Sequence, residues 1–345
     1  MFRKGILLVA VAGMAIAGCG SSGSTGSTAS SEAANPTGGA KKTFTITMIA
    51  KSTSNPVFLS ALSGAQAAAK DLGPSNNLDI KIDWQTPEKE DGTVQAQRIQ
   101  QAITQHSDAI LISCSDASKV NGAIDDAVAA GIPVMTFDSD APDSKRFAFY
   151  GVDDAETGTL VMKELAEQLG GKGNVAILAG NQNAPNLQKR VQAVKEEAAK
   201  SGIKIVDVVN HPETPEDASQ AVMQEMSAHP EINGWAMVGG WPLFAKSLLT
   251  DLNPAKVKVV AVDALPVELV YVEKGIAPVL LAQPTYKWGY ESVKIIIDHV
   301  ANKKDVPQIN KMPLVRVSKD NLSEWARQLK DWGFTDVDPK FLAPN

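Results

Sequence analysis

The sequence predicts an α/β protein built as two doubly wound, parallel-sheet lobes. Two observations carry this. Short apolar runs alternate with segments of helical spacing from residue 43 onward, and they do so in two successive series of similar size. That stretch is also about 300 residues long, which fits two domains. In the first series, Phe44 to Ile49 alternates apolar and polar residues, Asn55-Pro56 breaks the run, and Val57 to Leu72 has helical spacing until Gly73-Pro74 stops it. The unit recurs as strand Leu78 to Trp84 with helix Thr93 to Gln105, strand Asp108 to Ser113 with helix Ser118 to Ala130, and strand Val134 to Phe137. The second series begins near Phe147. It reads as helix Ala155 to Leu169, strand Asn174 to Ala179, helix Pro185 to Ser201, strand Ile203 to Val209, helix Pro215 to Ala228 and strand Ile232 to Val238. Helix Pro242 to Leu252, strand Val257 to Val262, helix Pro266 to Lys274, strand Pro278 to Ala282 and helix Tyr286 to Val300 follow. A short extended run, Pro313 to Val317, and a helix, Asn321 to Trp332, close the pattern.

Residues 1–18 read as a lipoprotein signal peptide. Arg3 and Lys4 precede an uncharged, mostly apolar run from Gly5 to Gly18, long enough for a signal peptide and short for a stable span. The run closes on Ile16-Ala17-Gly18-Cys19, which resembles the bacterial lipobox and so implies lipidation of Cys19 after cleavage before it. An ordinary secretory peptide with an incidental Cys19 would use the same small residues. Residues 19–42 then form the lipidated Cys and a flexible tether, because Gly20 to Ala40 is mostly Ser, Gly, Thr and Ala. The expected location is extracytoplasmic, with the membrane reached through the lipid alone. Cys114 is the only other cysteine, so the mature chain has no internal disulfide partner for it. A net charge of −6 with no basic run argues against nucleic acid and against an electrostatic grip on anionic lipid.

Open parallel sheets bind ligands beyond the carboxyl ends of their strands. The residues there are Lys51 to Asn55, Ser113 to Asp116, Asp138 to Asp140, Asn181 to Asn186, Gly239 to Trp241, Asp263 and Gln283. Asp, Asn, Ser and Gln dominate them. Such groups are costly to bury unpaired, and a polyhydroxylated ligand pairs them at many points while aromatic rings cover its C–H face. Carbohydrate is the ligand class this chemistry points to.

Five segments in order carry a family resemblance: Ser54-Asn55-Pro56-Val57-Phe58, Thr136-Phe137-Asp138-Ser139-Asp140, Asn186 to Arg190, Val262-Asp263 and Ala282-Gln283-Pro284. With them the chain resembles the periplasmic sugar-binding family of type I fold, the ribose- and galactose-binding proteins, over nearly all of Lys42 to Val317. The resemblance implies a three-segment hinge with crossings near Phe149 to Val152, Ala282 to Tyr286 and Asn310 to Pro313. It also implies an N-terminal lobe of residues 43–149 plus 284–310, and a C-terminal lobe and tail of residues 150–283 plus 311–345. In the site so implied, Asn55 donates to a ligand oxygen, Phe58 lies against one sugar face and Asp138 accepts two hydroxyl protons. Arg190 forks onto neighbouring oxygens, Asn186 joins it from the same helix, and Asp263 and Gln283 complete the ring. Two departures bear on which sugar is bound. Ser139 and Asp140 follow Asp138 where the ribose binders have Arg, so Asp140 adds an acceptor. Gly239-Gly240-Trp241 replaces an expected Asn-Asp, and Trp241 is expected to stack on the sugar. The implied function is an extracytoplasmic solute-binding protein that delivers a monosaccharide or related polyol to an ABC transporter permease. The alternative is a sensory subunit reporting sugar to a membrane chemoreceptor or kinase.

Plainer readings compete at several positions. Asn55-Pro56 also has the form of a helix start, and Asp138 that of a cap. Arg190 owes its weight to the resemblance, Lys51 and Ser113 fit a loop role equally well, and Trp84, Trp288 and Tyr286 read as packing or rim residues. Enzymatic readings find little. His106, His211, His229 and His299 stand apart with no metal-ligand spacing, so neither metal nor cofactor is expected. Gly170-Gly171-Lys172-Gly173 precedes a strand instead of following one, which makes it a turn and not a phosphate loop. A Gly-x-Ser-x-Gly elbow is absent from the sequence.

Overall fold

β1 (Lys42–Ile49) buries Ile46, Met48 and Ile49 completely, as a strand with helices on both of its faces must. The computed structural model describes residues 41–343; the signal peptide, Cys19 and the tether as far as residue 40 lie outside the described residues. After β1 come α1 (Pro56–Ser75), β2 (Leu78–Trp84), α2 (Gly92–Thr104), β3 (Ala109–Ile112), α3 (Ala117–Ala129), β4 (Val134–Phe137) and β5 (Ala148–Gly151). The chain then crosses into a second lobe made of α4 (Asp154–Gln168), β6 (Lys172–Gly180), α5 (Pro185–Ala198), β7 (Gly202–Asn210), α6 (Pro215–Ala228), β8 (Gly234–Met237), β9 (Lys258–Val262), α7 (Leu269–Lys274) and β10 (Val279–Ala282). α8 (Thr285–Ile296) and β11 (Ile309–Lys311) return to the first lobe, and β12 (Val315–Val317) and α9 (Leu322–Asp331) end in the second.

Each lobe carries one six-stranded sheet, in the orders β11-β5-β4-β3-β1-β2 and β12-β10-β9-β8-β6-β7. All pairings are parallel except β10 with β12. The three crossings therefore gather at one edge of each sheet, beside β5 and β11 in one lobe and β10 and β12 in the other. β2 and β7 stand at the opposite edges, furthest from the hinge.

Strand alternation sorts the first lobe's core. Ala109 and Leu111 of β3 face α1 and α8, whereas Ile110 and Ile112 face α2 and α3. The second lobe has one continuous core around the fully buried Trp235, closed by Trp325 of α9, whose indole donates to the carbonyl of Ala264 at 2.8 Å. Trp332, just past α9, stacks on Tyr286 of α8 at 5.8 Å and 3°, so the tail packs across the hinge.

α1 and α8 cross at small residues, and this contact fixes the returning segment on the first lobe. A Cβ on Gly289 would fall inside the carbonyl oxygen of Ala61, and one on Gly64 inside that of Tyr286. Gly289→Ala should therefore push the helices apart and cost about 1–3 kcal/mol, the usual range for overpacking. A lowered urea midpoint at unchanged slope is the expected result; an unaltered midpoint would show that the crossing has slack.

Three local expectations need revision. Residues 242–252 form no α-helix: a single 3-10 turn, Trp241–Leu243, gives way to turns. Its start has no side-chain cap, and the hydroxyl of Thr250 and the side chain of Asn253 bond local backbone groups instead. β5 and β11 are strands that the pattern along the chain did not announce. Four and three residues are too few to show a period.

Candidate functional site

The strand ends of both lobes converge on one interlobe cavity. From the first lobe, Asn55, Phe58 and Asp138 line it. Asn55 caps α1, its Oδ1 accepting the N–H of Val57 at 3.2 Å, so its amide N–H groups remain to point elsewhere. The capping and site readings of Asn55 are compatible. Phe58 packs 6.1 Å from Trp288 in a stacked arrangement and edge-on to Phe137, which builds an apolar wall. Asp138 ends β4 at φ 56°, a left-handed conformation that few non-glycine residues adopt and that is sustained only where the surroundings hold it. Its Oδ2 accepts the Ser113 hydroxyl at 2.7 Å. Gln95 ties the neighbouring loops together, donating to the carbonyls of Ala50 and Ser113 and accepting the N–H of Ser115.

From the second lobe come Asn186, Arg190, Trp241, Asp263 and Gln283. Arg190, one turn beyond Asn186 on α5, is a buried hub. Its guanidinium donates to Asp154 at 2.9 Å, to the Val238 carbonyl at 3.1 Å and to Gln283 Oε1 at 2.9 Å. Those bonds take three of its five N–H groups and leave two for a fork onto something in the cavity. Burial raises the Asp154 carboxyl to about 6 even though Arg190 opposes the shift. Asp263 ends β9 at φ 81°, accepting Gln283 Nε2 at 2.9 Å and the N–H of Gly240 at 3.3 Å. Burial likewise raises its pKa, against the pull of Gln283 and Arg190.

Trp241 lies flat against backbone. A Cβ on Gly239 or Gly180 would strike its ring, and Gly180 has φ 67°, so the glycines are what admit the indole. Its Nε1 donates to Glu213 Oε2 at 3.1 Å. The tryptophan is a wall of the cavity anchored at its polar edge.

The lobes touch across this space. Lys51 Nζ donates to Asn186 Oδ1 at 3.2 Å, and Asn186 Nδ2 donates to Asp138 Oδ1 at 3.1 Å. About 30 Å³ remains between them, the share of one water molecule in the liquid. Toward the edge away from the hinge the cleft widens into a recess of about 690 Å³, whose walls include Glu90, Asp116 and Lys119 on one lobe and Asn181, His211 and Glu213 on the other.

Asp140 does not join the cavity. Its carboxylate is held by Arg146, at 2.5 Å from Nε and 2.6 Å from Nη2, and also accepts from the Thr136 hydroxyl and the N–H of Ala141. With its oxygens so occupied it organises the loop after β4 and offers no acceptor to the cleft. Glu213, which follows the edge strand β7, was not among the expected lining residues; Trp288 of α8 had read as a packing or rim residue, and Lys51 had fitted a loop role equally well. Extending the strand-end rule to β2 and β7 would have found Glu90 and Glu213.

Comparison with known proteins agrees with the fold. A family model described as a periplasmic binding protein domain matches residues 46–304. The ribose import binding protein of Bacillus subtilis is 32% identical over 152 residues, covering 44% of this chain and 48% of that protein, so the chain aligns with about half of that relative's length. A D-ribose/D-allose-binding protein of Pseudomonas aeruginosa is 25% identical over 228 residues, 63% of this chain and 70% of that one. Among solved structures, an ABC transporter solute-binding protein of Burkholderia graminis, in complex with D-arabinose, superposes with a TM-score of 0.76 at 27% identity, covering 81% of this chain and 97% of that one.

Proposed function

The chain belongs to the periplasmic binding protein domain family, and on that footing we propose that it is a solute-binding protein, not an enzyme, that closes its lobes on a monosaccharide or related polyol and delivers it to an ABC transporter. The observation that carries this reading is the ring of acceptors and donors drawn from both lobes around an aromatic wall. Asp138 lines the cleft with Asn186, Arg190, Gln283 and Asp263 of the other lobe, and Phe58, Trp288 and Trp241 supply its aromatic walls. Hydroxyls satisfy carboxylates and guanidinium N–H groups at once, and rings cover the C–H faces of a sugar. A bound monosaccharide takes the place of the Lys51–Asn186–Asp138 bridge, its hydroxyls receiving the bonds those side chains now give one another as the lobes close on it. Transport is favoured over sensing because a solved relative at 27% identity is named as an ABC transporter component. The lipobox-like Ile16 to Cys19 and the Ser/Gly-rich residues after it support a lipid-anchored, extracytoplasmic placement. Among the described residues no helix is long and apolar enough to cross a membrane.

Thermal unfolding of the purified protein against pentoses, hexoses, deoxy-sugars, polyols and amino acids tests the reading. A ligand at a hundred times its Kd stabilises by about 2.7 kcal/mol, roughly a 4 °C rise in midpoint for a chain of this size. Asp138→Asn, which tolerates the left-handed backbone, should weaken that ligand roughly tenfold to a hundredfold. A shift with amino acids and none with any sugar would remove the carbohydrate reading.

A further inference from the structure

The charges of the cleft are unevenly paired, and this bears on the kind of ligand it admits. Asp138 and Asp263 are buried, and neither has an ion pair among the described residues; both are held by neutral donors, the Ser113 hydroxyl, the side-chain amides of Asn186 and Gln283 and the N–H of Gly240. Both line the cavity, where Arg190 acts on Asp263 and Lys51 on Asp138 only at longer range. Of the two cations lining the cavity, Arg190 is paired with Asp154. Lys51 is the other, and it is fully surrounded. Burial opposes its charge, yet Glu213, Glu90 and Asp138 together outweigh burial and hold its pKa above the ordinary lysine value. Its hydrogen bond to Asn186 leaves two N–H groups on a rotatable head.

Among the described residues, Glu213 alone lines both the mouth recess and the inner cavity. A ligand passing inward meets its carboxylate, which is fixed from behind by the Trp241 indole and by the Asn181 N–H at 3.1 Å. The recess outside it carries Glu90, Asp91 and Asp116 against Lys89 and Lys119.

We propose that Lys51 and Glu213 are specificity-determining residues of the cleft, and that together they restrict it to uncharged polyhydroxy ligands and exclude sugar acids. Lys51 donates to a ligand hydroxyl or carbonyl oxygen on the mouth side, and Glu213 accepts a proton from a neighbouring hydroxyl. An anionic oxygen in the cavity meets Glu213, Asp138 and Asp263 against Lys51 and an Arg190 already paired with Asp154, and this desolvated excess of negative charge rejects a further anion. The inference rests on the carbohydrate reading and narrows it.

The test is isothermal titration of the full chain with neutral monosaccharides and their matched aldonic and uronic acids, for the parent, Lys51→Met and Glu213→Gln. The parent should bind a neutral sugar at least a hundredfold more tightly than its acid. Lys51→Met should lose tenfold or more toward the neutral ligand, and Glu213→Gln should narrow the neutral-to-acid ratio at least tenfold. An acid bound as tightly as its neutral parent overturns the proposal while sparing the carbohydrate reading. So do two folded variants that keep both the affinity and the ratio of the parent. Binding of neither class overturns the carbohydrate reading and this proposal with it.

Discussion

Arg190→Met should lose about 3–5 kcal/mol of stability at neutral pH, together with measurable ligand binding. The size follows from what the substitution strands. Asp154 would be left buried without its cation, Gln283 Oε1 without its donor and the Val238 carbonyl without its N–H. Removing one partner of a buried pair costs this much because the other charge stays in a poor solvent for it. Gln283 would then be free to turn, and Asp263, which accepts from it, would lose its orientation, so the damage spreads through the second lobe's half of the site. The pH dependence separates this mechanism from simple loss of volume. The Asp154 carboxyl already sits near 6 beside Arg190, and without the cation it rises further. A carboxyl whose folded value exceeds its unfolded one lets the folded state hold the proton more strongly, so stability is gained as pH falls through the folded value. The gap between variant and parent should therefore shrink between pH 7 and pH 5 in urea unfolding. A gap that stays constant over that range would assign the loss to packing and not to the stranded carboxylate.

The pattern along the chain was readable where the physics is local and repeated. β3 reads as a continuous apolar run because helices cover both of its faces, and Asp138, Asp263 and Gln283 were legible because each directly follows a buried apolar run. Position after a strand says that a side chain can reach the cleft. It does not say whether a partner has already claimed it. Asp140 follows the same strand as Asp138 and has the same chemistry, yet Arg146, six residues on in an irregular loop, takes its carboxylate, and nothing in the spacing announces that pair. Trp288 was hidden for the opposite reason. It lies on the buried face of a helix that returns to the first lobe over more than two hundred residues, so only the crossing of α8 on α1 brings it to Phe58. Trp241 shows both sides of the matter: Gly239 does admit a close ring, but Gly240 packs against Glu268 and Phe244 instead, and the second glycine under the indole is Gly180 from another strand.

Glu90 and Glu213 carry the last expectation, that ligand affinity falls as pH rises. They follow β2 and β7, the sheet edges furthest from the hinge, and they meet across the lobe boundary at the mouth. Two carboxyls can share a hydrogen bond only if one keeps a proton. Burial first, and the charge of Glu213 second, raise Glu90 well above the ordinary carboxylate range, while Lys51 and the Asn181 amide, 3.1 Å from Glu90 Oε2, pull the other way. Glu90 Oε1 is buried with no donor among the described residues, which makes it the atom to carry the proton toward Glu213. His211, on the second lobe's wall of the recess, is itself lowered by burial. Opening the lobes separates the two acids and returns Glu90 to water, where its pKa is ordinary. Closure therefore takes up a proton at pH values between the open and closed pKa of Glu90. The closed form is fully supported below that window and loses support as pH rises through the closed value, by at most about tenfold in affinity per pH unit for one proton. Two pH units should thus weaken binding by up to about a hundredfold. Glu90→Gln replaces the shared proton with a permanent amide donor, so the variant should hold the low-pH affinity of the parent across the whole range. Titrations from pH 5 to pH 9 that give a flat parent curve, or a slope that survives in Glu90→Gln, would remove the carboxyl pair as a brace on the closed cleft.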